Sequence, residues 1–116
     1  MDYERICKDI LHFDSKIRFC GVTNAKSELI ASISKNPEEK FLSKDEMMMS
    51  IHYTLDRSEK HTNLSYKIGN EKSAVIEYDK VTMITIPLEK KELLLISTEP
   101  EADYYKIIAK ARESLS

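Results

Sequence analysis

The 116-residue sequence predicts an α+β domain with the element order α-β-β-α-β-β-β-α, in which helices pack on an antiparallel sheet. Two observations predict this class: apolar residues recur at helical spacing in three segments, and five short apolar runs with polar turns have the character of strands. With 41% hydrophobic and 33% charged residues, the composition is that of a globular protein. We therefore expect residues 1–116 to form one domain around a single core.

The first third of the sequence predicts a helix followed by a β-hairpin. Apolar residues at helical spacing indicate an amphipathic helix over 2–13. Its apolar stripe consists of Tyr3, Ile6, Ile10 and Phe13. Residues 16–24 and 28–34 are predicted strands, and the short polar connection between them favours an antiparallel hairpin. Within the first strand, Gly21 marks either a bulge or the close approach of a helix.

A second helix begins at the clearest local signal in the chain. Ser43 and Glu46 have the spacing of a capping box, in which each side chain accepts a hydrogen bond from the other residue's backbone N–H. The helix ends either in the low sixties or at Ile68, with Gly69 as a left-handed stop. One side of this helix is predicted to face the sheet. That side consists of Met47, Met48, Ile51, Leu55, Ser58 and Thr62.

The rest of the sequence predicts a three-stranded meander and a final helix. The strands lie at about 72–78, 81–88 and 92–98, with short charged turns between them. Residues 93–96 are apolar on both faces, which is typical of a strand in mid-sheet that protein covers on each side.

The final helix is predicted over 100–115. Thr98 and Glu101 have the spacing of a second capping box, and Pro100 suits the first turn because its missing N–H is not needed there. The predicted inward stripe consists of Tyr104, Ile108, Ala111 and Leu115.

This order of elements resembles the roadblock family, which includes the dynein light chain roadblock and is related to longin-like and profilin-like folds. Residues 14–22 and 80–88 are also similar to segments of small uncharacterised archaeal proteins with this layout. The resemblance implies a five-stranded antiparallel sheet in the order 2-1-5-4-3, with the middle helix on one face and the terminal helices on the other. That order places the doubly apolar segment 93–96 on the central strand.

The resemblance also implies a function. Roadblock proteins are typically non-enzymatic dimers that scaffold or regulate small GTPases, and their dimers form through the middle helix and the third strand. We therefore expect a homodimer whose partner is a small GTPase or another signalling protein.

The outer side of the middle helix carries the predicted interface. Met49 and Tyr53 lie one turn apart there, and charged residues surround them, as at the core and rim of an interface. Val75 and Glu77 come from the third strand, which the resemblance assigns to the dimer. The full predicted interface consists of Met49, Tyr53, Asp56, Arg57, Lys60, Val75 and Glu77. The alternative is that Met49 and Tyr53 are isolated surface residues that need no partner.

No motif for catalysis or for cofactor binding is present in the sequence. Gly21 and Gly69 are too few for a phosphate-binding loop or a dinucleotide fingerprint. The three histidines are not at metal-ligand spacing, and Cys7 and Cys20 do not form a Cys-x-x-Cys pair. Cys20 is predicted to be an inert core residue, with a reactive thiol as the alternative. We expect no catalytic residue, no cofactor and no metal.

The formal net charge of −2 comes from 20 acidic and 18 basic residues spread along the chain. No basic block suited to nucleic acid is present, and no apolar run approaches the roughly 20 residues of a membrane helix. The opening segment lacks the apolar core of a signal peptide. We therefore expect a cytoplasmic protein with reduced thiols that binds neither nucleic acid nor membrane.

A second functional class stays open, namely a small-molecule sensor domain of the PAS or profilin-like type that holds a ligand between sheet and helix. Such a site needs a cavity with convergent polar groups. The candidate polar groups are Cys20, Thr85 and Ser97.

Overall fold

The computed structural model describes residues 1–38 and 42–116 and contains the predicted helices and strands in the predicted order. The elements are α1 (Tyr3–Phe13), β1 (Ile17–Thr23), β2 (Leu29–Ser34), α2 (Lys44–His61), α3 (Ser65–Ile68), β3 (Ala74–Glu77), β4 (Thr82–Pro87), β5 (Leu93–Thr98) and α4 (Tyr104–Leu115). A 3-10 turn, Thr62–Leu64, connects α2 to the single turn of α3.

The five strands form one antiparallel sheet in the order β2-β1-β5-β4-β3, which confirms the expected order. The central strand is β5, and its residues Leu93, Leu94, Leu95 and Ile96 are at most 5% exposed. Leu94 and Ile96 belong to the core beneath the terminal helices, whereas Leu93 and Leu95 pack against α2. The predicted double coverage of this strand is therefore confirmed.

The larger core lies between the sheet and the two terminal helices. The helices contribute Ile6, Cys7, Ile10, Leu11, Ile107, Ile108 and Ala111, and the strands contribute Ile17, Cys20, Val22, Ala31, Ile84, Ile86, Leu94 and Ile96. Burial of each large aliphatic side chain stabilises the fold by roughly 1.5–3 kcal/mol. The predicted stripe of α4 omitted Ile107, which is fully buried, because the inward face is wider than one residue per turn.

The contact of α2 with the opposite face of the sheet is much narrower. The residues of this layer are Ile51, Leu93 and Leu95, with Phe19, Met47 and Leu55 partly buried against them. Two residues of the predicted inward side are instead exposed. Met48 lies at the flank of the stripe, about 100° around the helix from Met47, and Thr62 lies beyond the end of α2. The helix therefore rests on the sheet along one line.

The ends of α2 follow the local sequence signals. Ser43 Oγ accepts a hydrogen bond from Glu46 N–H at 3.1 Å, and Glu46 Oε1 accepts one from Ser43 N–H at 2.9 Å, which confirms the capping box. These bonds to Ser43 lower the pKa of Glu46. At the other end both predicted alternatives hold in part, because α2 stops at His61 while helical turns continue to Ile68. Gly69 ends the helical path, but with φ of 87° and ψ of 177° it is not in the left-handed helical conformation that was predicted.

The predicted start of α4 is wrong. Thr98 is the last residue of β5 and is paired on both sides, so its backbone belongs to the sheet and cannot cap a helix with Glu101. The helix begins at Tyr104, and Asp103 is its N-cap. The Asp103 carboxylate accepts a hydrogen bond from Lys106 N–H at 3.3 Å.

Gly21 makes room for an aromatic ring. A Cβ at this position would lie 2.8 Å from Phe19 Cζ and 3.0 Å from Leu29 Cδ1. Both crowding side chains belong to the sheet, and the register of β1 with β2 shifts only between Val22 and Thr23. Neither predicted explanation, a bulge or a closely packed helix, therefore applies at Gly21 itself.

The turn between β4 and β5 holds two lysines in a left-handed backbone conformation. Lys90 and Lys91 both have φ of 59°, and Glu92 N–H donates a hydrogen bond to Glu89 O at 3.2 Å. Positive φ at both central positions is characteristic of a type I′ turn, for which Asn-Gly is the preferred pair. Each non-glycine residue in this conformation costs roughly 1–2 kcal/mol.

Replacement of this pair by Lys90→Asn with Lys91→Gly should raise the free energy of unfolding by about 1–2 kcal/mol, because Asn and Gly adopt the turn at lower cost. Chemical denaturation measures the difference. The control, Asp79→Asn with Lys80→Gly, puts the same pair into the β3–β4 turn, where neither residue has positive φ, and should bring no gain. A Lys90/Lys91 variant no more stable than the wild type would contradict this account of the turn.

Candidate protein interface

An exposed apolar groove lies between α2 and the edge of the sheet. We call it the α2–β3 groove and define it by Met49, Tyr53, Arg57, Ile76 and Tyr78. The four uncharged side chains are 52%, 61%, 39% and 54% exposed, in that order. A cluster of large apolar side chains bounded by charge is typical of a protein interface.

The local structure explains why these side chains meet. Met49 and Tyr53 lie one turn apart on α2, so they share a side of the helix. On β3, Ile76 pairs with Met83, and the pleat places Ile76 and Tyr78 on the face that α2 covers. The interface predicted from the sequence did not include Ile76 and Tyr78. The alternation of side chains along this strand, with a period of two, was the sequence signal that placed these two residues on the same face.

Two residues of the predicted interface, Val75 and Glu77, contribute backbone to this edge. The Val75 side chain packs into the core on the opposite face of the sheet. Tyr78 N–H donates a hydrogen bond to Val81 O at 2.8 Å, so every second residue of β3, including Ile76, bonds to β4. The N–H and C=O groups of Val75 and Glu77 therefore point outward from the last strand of the sheet.

The charged residues of the predicted interface have two different roles. Arg57 Nη1 and Nη2 donate to Glu71 Oε1 and Oε2 at 2.6 and 3.3 Å, and this bidentate pair ties α2 to the segment before β3. Asp56 and Lys60 form an exposed pair one turn apart, 3.1 Å from Oδ2 to Nζ, which contributes at most about 0.5 kcal/mol. Arg57 therefore fixes the shape of the groove, whereas Asp56 and Lys60 pair with each other and are not among the residues that line it.

Two buried polar atoms at the α2–β3 groove, Arg57 Nε and Thr85 Oγ1, have no hydrogen-bond partner among the described residues. An unpaired buried donor or acceptor costs roughly 1–3 kcal/mol.

The three polar groups expected for a sensor site do not converge. Cys20 is fully buried in the core beneath the terminal helices. Ser97 lines a pocket beneath α2, and Thr85 lies at the α2–β3 groove. The sheet separates Cys20 from the other two residues, so the predicted constellation is wrong.

The groups whose pKa is strongly shifted lie away from the groove. A hydrogen bond with Cys7, together with burial, raises the pKa of Cys20, so this thiol stays protonated and an inert core role is favoured. Tyr3 OH donates to Glu92 Oε1 at 2.7 Å, which raises the pKa of Tyr3 to about 12. Both interactions tie α1 to the sheet.

Within residues 1–38 and 42–116, no three His, Cys, Asp or Glu side chains are arranged to hold a metal ion. In the same part of the chain, no helix combines the length and the apolar character needed to cross a bilayer.

Solved structures with this fold are numerous, at low sequence identity. A Roadblock/LC7 domain from Streptomyces avermitilis superposes with a TM-score of 0.76 at 9% identity, over 99% of this chain and 92% of that chain. The gliding protein MglB from Thermus thermophilus gives a TM-score of 0.75 at 12% identity, over 97% and 84% of the two chains. An MglB protein described in a tetrameric arrangement gives 0.77 at 13% identity, over 97% and 83%.

The sequence comparisons are more restricted. No curated protein is significantly similar to this chain. One family model matches residues 1–116, and its description is a family of unknown function, DUF6659. The chain therefore has the fold of Roadblock/LC7 domains and belongs to DUF6659.

Proposed function

We propose that this chain is a non-enzymatic protein-interaction module, which forms a homodimer and scaffolds or regulates a partner such as a small GTPase. The observation that carries the proposal is the position of the α2–β3 groove directly beside the outward-facing backbone of β3. An apolar groove and an unsaturated strand edge are the two parts of a sheet-to-sheet interface.

A second copy of the chain fits this edge by two-fold symmetry, because the same patch then meets itself. With the axis at Ile76, Val75 pairs with Glu77 of the partner subunit, and each such pair exchanges two backbone hydrogen bonds. An axis at Glu77 would instead place two carboxylates opposite each other, which destabilises a sheet. The register centred on Ile76 is therefore preferred over the one centred on Glu77.

This register also joins the two grooves. The Ile76 side chains of the two copies lie opposite each other on the face that α2 covers. Met49 and Tyr53 of both copies then flank a continuous apolar strip, which is buried in the dimer. The burial removes exposed apolar side chains from water, and that is the main source of affinity in such contacts.

The variant Met49→Asp with Tyr53→Lys should be a folded monomer, because it puts charge into the apolar strip. Light scattering at micromolar concentration reports the mass, and circular dichroism reports the fold. The matched control, Met48→Asp with Tyr105→Lys, makes the same changes at exposed positions outside the groove and should stay dimeric. A wild type that is already monomeric at micromolar concentration would refute the dimer.

The register is tested by a single cysteine. Ile76→Cys should form a covalent dimer with oxidised glutathione, because residues in a non-hydrogen-bonded antiparallel pair have Cα atoms about 4.5 Å apart, within the range of a disulfide. Tyr78→Cys on the same face is the control, since it lies about four residues out of register with its own copy and should not crosslink. Efficient crosslinking of Tyr78→Cys alone would show a different register.

A small GTPase as partner is supported by the roadblock resemblance and by the shared fold, and binding assays decide it. Biolayer interferometry with a panel of small GTPases, each loaded with GDP or a GTP analogue, should show binding that depends on the nucleotide. The monomeric Met49/Tyr53 variant should bind at least about tenfold more weakly, because a dimer presents composite surfaces that a monomer lacks. A dimeric wild type that binds no member of the panel would refute the GTPase proposal and leave the dimer intact.

A further inference from the structure

The narrow contact of α2 with the sheet leaves a pocket beneath the first half of this helix. Its volume is about 160 Å³. The floor is formed by strand residues that face α2, and the roof is formed by the helix itself. The apolar lining residues include Phe19, Met47, Ile51, Met83 and Leu95.

The volume of the pocket matches a single small ring. An apolar protein cavity of about 150 Å³ takes up benzene, since water gains too few hydrogen bonds in such a space. Phe19, Met47 and Met83 are adaptable or aromatic side chains that pack well against a planar ring.

The polar groups of the pocket define the chemistry of its ligand further. Ser50 on α2 and Ser97 on β5 contribute hydroxyl groups, which can both donate and accept hydrogen bonds. The charged residues of the lining are Arg18, Lys35 and Glu99. Arg18 pairs with Glu99 at 3.0 Å from Nη1 to Oε1, and Lys35 Nζ donates a hydrogen bond to Ser15 O, so each of these charged groups already has a partner. A mostly apolar pocket with a few placed hydroxyls favours an uncharged ligand with one polar group.

We propose that this pocket binds a small uncharged aromatic compound with one hydroxyl group, of the phenol class. The ring packs between Phe19 and the helix, and its hydroxyl bonds to the serine hydroxyls. The site lies under α2, whereas the proposed dimer contact runs along the edge of β3, and Ser50 and Met83 line both the pocket and the groove. It gives this chain a ligand-binding function in addition to the proposed protein contact.

Titration of the isotope-labelled protein with phenol and with benzene tests the proposal by NMR. Both probes should shift the amide signals of Phe19, Ile51 and Leu95 saturably, and phenol should bind about two- to tenfold more tightly because its hydroxyl gains a hydrogen bond. Absence of a saturable shift with either probe would overturn the pocket as a binding site. Equal or tighter binding of benzene would overturn the assignment of the hydroxyl-bearing class.

Two variants fill the pocket from different strands. If one of them fails to fold, the other still tests the proposal. Ser97→Leu and Ser34→Leu each place an apolar side chain in the pocket and should weaken phenol binding by at least about tenfold. Ser32→Leu is the matched control, since Ser32 lies two residues from Ser34 on β2 but outside the pocket lining, and it should bind phenol like the wild type. Undiminished binding by a folded filling variant would place phenol elsewhere and overturn the proposal.

Discussion

A strand that is apolar on both faces can sit in a soluble sheet only if protein covers each side of it, and β5 imposes this requirement on the whole chain. Leu94 and Ile96 need the terminal helices, and Leu93 and Leu95 need α2. Each large side chain left in water would forgo roughly 1.5–3 kcal/mol, a large share of the stability of a small domain. The two helical layers are therefore a consequence of one strand.

The two helical layers cover the sheet to different extents, and the sheet surface left uncovered is where a partner or ligand can bind. The terminal helices bury the larger core, and a hydrogen bond from Tyr3 to Glu92 also ties α1 to the turn before β5. On the other face α2 covers the centre of the sheet and leaves its margin open. The Arg57–Glu71 pair fixes the second half of α2 beside the edge strand. The groove and the pocket both exist because α2 contacts the sheet over a narrow area.

The features that the sequence predicted well are those that short segments determine. The apolar run at 93–96 requires cover on both faces whichever strands it pairs with. The capping box of Ser43 and Glu46 forms within four consecutive residues. The start of α4 was missed because long-range pairing of Thr98 with two neighbouring strands overrides a local capping signal. The sequence predicted only the helical side of the groove, because the helix pattern identified Met49 and Tyr53. The roles of the β3 side chains depend on which face of the sheet α2 covers. Sequence period alone does not define that face.

The same helix roofs the pocket and forms one side of the groove, so a movement of α2 alters the shape of both. Ser50 and Met83 line both sites, and a ligand beneath α2 therefore contacts residues next to the proposed dimer contact. Whatever factor a bound ligand imposes on the dimer affinity, dimerisation must impose the same factor on the affinity for the ligand. A helix held by few buried contacts shifts at low free-energy cost, whereas the densely packed terminal helices do not. The weakly seated layer is thus the part of this fold through which a small molecule could control association.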